Sequence, residues 1–171
     1  MTQFAVVAFP ELSAPDAIKA VRDRYDPLAG MLAAHVTLVF PFEDTIEEST
    51  LRHHVERSIA GIRPFEVALP RLSAEPDGYV FLDIGRGAAS CIALHDRLYT
   101  GPMARHLSSA HSYRPHVTVG RLADAALAAV ARDEIERQLE LPVQAAVGSV
   151  SLFRLLSVGR GVVAFTVPLP T

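Results

Sequence analysis

The sequence predicts an α+β fold of two similar lobes. Three observations carry that prediction. The tripeptide His-Val-Thr occurs twice in β-branched surroundings, as His35-Val36-Thr37 and His116-Val117-Thr118, 81 residues apart. Phe4 and Tyr79 open apolar segments 75 residues apart, and Pro64 and Pro142 precede apolar segments 78 apart, so the offsets agree to within a loop. Strand patterns alternate with helical ones, and no linker or low-complexity stretch divides the chain. We expect one domain over residues 1–171, built from sequence repeats at about 1–74 and 78–171, each lobe presenting its His-x-Thr strand to a shared cleft.

The elements follow in order. Gln3–Phe9 reads as a strand ended by Pro10. Ser13-Ala14-Pro15-Asp16 resembles a helix start, and Ile18, Val21 and Tyr25 recur at helical spacing. A strand is expected over His35–Phe40, then a capping box at Thr45-Ile46-Glu47-Glu48 and a helix marked by Leu51, Val55 and Ile59. Pro64–Leu72 reads as one strand turning through Glu75-Pro76-Asp77-Gly78. The order then repeats: strand Tyr79–Ile84, helix Ala88–Tyr99, a loop rich in Gly, Pro and Ser, and strand His116–Arg121. A helix with Leu127, Val130, Ala131, Ile135 and Leu139 on one side precedes strands around Val143–Leu156 and Val162–Val167.

Composition narrows the function. With 171 residues, half of them hydrophobic, the chain can bury a sizeable core. The net charge of −3 argues against a protein that coats nucleic acid electrostatically. No run approaches the roughly 18 apolar residues of a membrane span, and the apolar opening lacks the basic lead of a signal peptide. The single cysteine, Cys91, has no internal disulfide partner and reads as core. A cytoplasmic protein is the expectation. The seven histidines include no His-x-His or His-Glu-x-x-His, there is no cysteine pair, and no Gly-x-x-x-x-Gly-Lys loop occurs, so neither a metal nor a bound cofactor is expected.

The paired tripeptides carry the chemistry. In a strand alternate side chains share a face, so His35 points with Thr37 and His116 with Thr118 while the valines point into a core. Opening a phosphodiester requires one group to take a proton and another to give one, and imidazole does either near neutrality. Threonine hydroxyls donate to the non-bridging oxygens. His35 and His116 are therefore the candidate catalytic pair, and Thr37 and Thr118 the candidate phosphate-binding groups. Gly120 shares their face by strict alternation and would leave room for a nucleotide. Between Ile84 and Ala123 lie Arg86, Arg97, Arg105, Arg114 and Arg121 against one acid, Asp96, which suggests the mouth of an anion-binding cleft. Arg114 and Arg121 could pair with phosphate, although alternation aims Arg121 away from His116 toward a structural ion pair. Tyr113 and Phe42 could stack on a base. His54 reads as a core or boundary residue, His53 and His95 as helix-surface residues, and His106 and His111 as solvent-exposed loop residues.

The motifs, together with Arg24-Tyr25-Asp26-Pro27-Leu28, the run His35–Phe42 and the run Tyr113–Arg121, resemble the 2H phosphoesterase superfamily over nearly the whole chain, most nearly its bacterial 2′-5′ RNA ligase-like branch. The resemblance implies pseudo-twofold duplicated lobes, with antiparallel sheets lining a central cleft and helices outside. It also implies metal-independent chemistry on a phosphodiester beside a ribose hydroxyl. The substrate expected is a nucleotide or short RNA end with a 2′,3′-cyclic or 2′-5′ phosphodiester, and the protein is expected to be a monomer. Ligation of 2′-5′ ends, or a binding module without turnover, are the alternatives. Ala33-Ala34 precede the first motif where larger branches carry a basic residue.

Overall fold

The structure is a computed structural model and describes every residue except His111, Val158 and Gly159. His111, expected in an exposed loop, therefore lies outside the described residues. In chain order the elements are β1 (Thr2–Ala8), β2 (Glu11–Leu12), α1 (Pro15–Tyr25), β3 (Val36–Asp44), α2 (Glu48–Ser58), β4 (Phe65–Leu69), β5 (Arg71–Ala74) and β6 (Tyr79–Asp83). They continue with α3 (Ala88–Leu98), a 3-10 helix Gly101–His106, β7 (His116–Arg121), α4 (Ala125–Glu136), β8 (Val143–Val147), β9 (Ser149–Ser157) and β10 (Arg160–Pro168). No helix among the described residues is long and apolar enough to cross a membrane.

Every strand pairing is antiparallel. One sheet has the order β10-β9-β1-β3-β7-β6-β5 and a smaller one the order β2-β8-β4. The motif strands β3 and β7 are neighbours at the middle of the larger sheet, joined where Val36 faces Val117. Strands cross that seam between the two stretches expected as repeats, 1–74 and 78–171. β5, from residues 1–74, borders β6 of residues 78–171, while β9, with β10 beyond it, borders β1. Helices are exchanged too, because α1 packs on β7 and α3 on β3.

The exchange begins at Pro70, where the expected strand Pro64–Leu72 divides into β4 and β5. Proline supplies no N–H to a ladder, so the chain breaks there and passes from the small sheet to the large one. The larger apolar core lies on the helix-bearing face and includes Val36, Leu38, Val117 and Val119. A second cluster, Ala5, Val7 and Phe153 with Phe9 and Leu32 against it, lies on the opposite face.

Local expectations were corrected in three places. Ser13 bonds to Gln144 of β8 instead of capping α1, whose first turn contains Pro15. At α2 the expected capping box is absent, and the Asp44 carboxylate takes the Thr45 and Ile46 N–H groups at 2.7 and 3.2 Å. α4 buries Ala128, Ala131 and Ile135 and turns Leu127 and Val130 outward, 49% and 57% exposed. Alanines at those positions let the helix lie close against β5 and β6.

Candidate active site

Antiparallel pairing with Val36 opposite Val117 sets the neighbours of both valines. With both valines in the core, His35 and Thr37 on one strand and His116 and Thr118 on the other turn to the opposite face, next to one another across the seam. All four are half-buried, and neither hydroxyl has a protein partner among the described residues.

The two imidazoles are held alike. His35 Nδ1 lies 2.9 Å from the Ala33 carbonyl and His116 Nδ1 lies 2.7 Å from the Arg114 carbonyl. A carbonyl only accepts, so each neutral ring keeps its proton on Nδ1 and has Nε2 as its unprotonated nitrogen. The segment that supplies Ala33 is anchored by Asp26, which receives Arg22 Nε and a terminal guanidinium nitrogen at 3.0 and 2.8 Å and the Leu28 N–H at 2.9 Å. The ring surroundings differ. His116 stacks on Phe81 at 3.6 Å, and His35 meets Phe9 edge-on at 6.3 Å.

Burial lowers both imidazoles below the usual histidine range. For His35 the Ala33 carbonyl opposes this, Arg22 and His116 add to it, and Asp26 counters them. For His116 the Arg114 carbonyl opposes burial, the Arg114 guanidinium adds to it, and Asp83 and Glu75 counter it. Unfolded histidines titrate near 6.5. As pH falls through that value the unfolded chain binds protons that the folded sites resist, so stability is lost until pH passes below the folded values. Urea unfolding of the His35→Gln/His116→Gln variant should accordingly show a shallower loss of stability between about pH 7 and pH 5 than the parent. Equal slopes would mean that neither ring is held neutral.

Strict alternation fails three residues beyond each histidine. In β7 Thr118 faces Phe81 but Gly120 faces Val80, so one extra residue is accommodated at Val119. The parity flips, as it does at any bulge. Gly120 therefore points to the core, where an added Cβ would stand 3.3 Å from Tyr25 Cβ and 3.4 Å from Val80 Cβ. Its bareness serves α1 packing rather than a nucleotide. Arg121 swings to the site face, its guanidinium 5.1 Å from the Tyr79 ring centre. β3 does the same. Thr37 faces Val7, Val39 faces Val6, and both Leu38 and Val39 are buried. Phe40, 48% exposed, is thereby turned to the side of Thr37, and Phe42 packs into the core beside Phe4 and His106, not at the site. Phe40 was missed in the sequence. The signal was its place five residues after His35, matching Arg121 after His116.

The other arginines are engaged. Arg114 reaches Glu75 at 2.5 Å, Ser73 Oγ at 3.2 Å and Asp83 at 3.2 Å, so it braces lobe structure instead of waiting for phosphate. Arg86 bonds Glu66 and Gln144, Arg97 the Ala60 carbonyl, and Arg105 the Asp44 carboxylate. Among the described residues Arg121 alone of the five has no such partner. Tyr113 donates to the Thr37 carbonyl at 2.8 Å. His106 is no exposed loop residue, since it sits 2.7 Å from Asp44 and over Phe42. Hydrogen bonds from Arg105 and His106 hold the Asp44 carboxyl far below the ordinary range, against the effect of burial. His95, expected on a helix surface, is buried with Nδ1 2.9 Å from the Leu38 carbonyl. His54 bonds the Leu98 carbonyl as a boundary residue, and Cys91 is buried with its thiol pushed up to about 12.

No group of three or more His, Cys, Asp or Glu among the described residues is arranged to hold a metal. Two surface depressions lie elsewhere, one beside Asp44, Glu48 and Arg154 and one between Ser13, Glu66 and Arg86. Neither contains a histidine.

A family model described as the 2′-5′ RNA ligase superfamily matches residues 9–159. A Halalkalibacterium halodurans protein named "Putative phosphoesterase BH1439" is 27% identical over 172 residues, covering 92% of this chain and 98% of its own. A Bacillus pumilus protein named "Putative phosphoesterase" is 29% identical over 126 residues, 70% of each chain. Among solved structures, Escherichia coli LigT in its apo form shares the fold with a TM-score of 0.65 and 19% identity, over 99% of this chain and 98% of that one. LigT complexed with 3′-AMP gives 0.64 and 17%, over 99% of both chains.

Proposed function

The chain belongs to the 2′-5′ RNA ligase superfamily, and on that premise we propose that it is a metal-independent phosphodiesterase acting on 2′,3′-cyclic or 2′-5′ phosphodiesters of nucleotides or RNA ends. The observation that carries this reading is the pairing of Val36 with Val117, which puts the two His-x-Thr motifs side by side on neighbouring strands. One imidazole takes a proton from the attacking water through Nε2. The other, protonated, gives its proton to the departing ribose oxygen as the phosphorus–oxygen bond breaks, leaving a monoester. Thr37 and Thr118 donate to the non-bridging oxygens as their charge changes. Phe40 lies at the Thr37 end of this row and Arg121 at the Thr118 end, where an aromatic base and an anionic group respectively would find contacts.

The test is to assay the purified protein on nucleoside 2′,3′-cyclic phosphates and 2′-5′-linked dinucleotides, with the products resolved as 2′- or 3′-monoesters. Hydrolysis in the presence of chelator is expected. Tight binding without turnover would instead favour a binding module. Within this reading Arg121→Ala should raise KM about tenfold, the size of one charge-assisted hydrogen bond of about 1.5 kcal/mol, with kcat nearly unchanged. An unchanged KM would remove Arg121 from the site.

A further inference from the structure

Beyond Val36 the motif strands part, for β3 and β7 share only the Val36–Val117 pairing. Three aromatic side chains take over the β3 main chain there. Tyr113 donates to the Thr37 carbonyl at 2.8 Å, His95 Nδ1 to the Leu38 carbonyl at 2.9 Å, and the Phe40 N–H donates to Tyr99 Oη at 3.0 Å. The Tyr113 ring lies flat on His95, 3.8 Å between centres and 2° from parallel, and meets Phe40 edge-on at 6.5 Å. Tyr113 precedes His116 by three residues, so its hydroxyl joins the approach to one motif to the backbone of the other.

We propose that Tyr113 is a positioning residue that fastens β3 to the segment leading into β7 and thereby fixes the Thr37 hydroxyl against the phosphate. The inference rests on the phosphodiesterase reading above. Its ring face is occupied by His95 and its hydroxyl by Thr37, which leaves it poorly placed to stack on a base. Burial raises the phenol far above its ordinary value, so it remains a donor at every pH of interest. A reacting group displaced by a fraction of an ångström loses much of its effect on the transition state while substrate still binds.

The test is a pair of double-mutant cycles on one cyclic phosphate substrate. Tyr113→Phe keeps the stacked ring and removes the hydroxyl. It should lower kcat roughly tenfold with KM within about twofold. Combined with Thr37→Val it should cost nothing further, because the group it positions is already gone. Combined with Thr118→Val its effect should multiply. Multiplication in both backgrounds, or a rise in KM at constant kcat, would overturn the positioning role. Should Tyr113→Phe melt below the assay temperature, His95→Phe, which retains a ring beside Tyr113 and removes the bond to Leu38, enters the same cycles with the same expected pattern. A parent protein without turnover on any phosphodiester would overturn the proposed function instead. The link would then be read from the Thr37 amide shift in Tyr113→Phe, which moves if the bond holds the strand and stays put if it does not.

Discussion

Replacing His35 or His116 with alanine should lower kcat by roughly 10²–10⁴-fold, the usual worth of a positioned acid or base. Both rings receive their orientation from a carbonyl two residues upstream, at 2.9 Å for His35 and 2.7 Å for His116, so neither needs substrate to acquire its reactive tautomer. The double replacement should cost less than the product of the single ones, because proton uptake and delivery occur within one displacement. KM should move far less than kcat in each variant. Circular dichroism should be unchanged, since neither imidazole belongs to the apolar core. Loss of activity from only one of the two replacements would mean that the site does not work as a pair.

Asp26→Ala should destabilise the protein by about 3–5 kcal/mol, the cost of breaking a buried ion pair from one side. The Arg22 and Asp26 side chains are each 5% exposed, and Asp26 Oδ2 receives two guanidinium nitrogens. Without it a guanidinium is left in the interior with no carboxylate. The Leu28 N–H also loses its acceptor, and the segment that carries Ala33 to His35 loses its anchor. Urea unfolding should show a lower midpoint at similar slope. Removing both charges with Arg22→Leu/Asp26→Leu should recover part of the loss. A cost below about 1 kcal/mol would show that water reaches Arg22.

The placement of the candidate quartet on one face was legible in the sequence because it depends on local geometry alone. Alternation over three residues fixes the face of His35 relative to Thr37, and the second copy reveals the partner. Arg121, Gly120 and Phe40 were misread or missed because alternation was carried four or five residues past each histidine, through bulges created by how β3 fits β1 and β7 fits β6. A bulge is a property of two strands together. His95 and His106 misled for a related reason. Their partners, the Leu38 carbonyl and Asp44, are 57 and 62 residues distant, and each offers a buried polar contact that composition does not announce. The strand exchange at Pro70 was signalled by the proline, but only the paired sheets show where the chain goes next.

The most direct test of the paired-imidazole account is the pH dependence of kcat/KM for a nucleoside 2′,3′-cyclic phosphate, measured in chelator. The account predicts a bell, one limb for the imidazole that must be free and one for the imidazole that must be protonated, with no loss of rate in chelator. A rate that rises steadily with pH, or that returns only when a divalent metal is added, would contradict it.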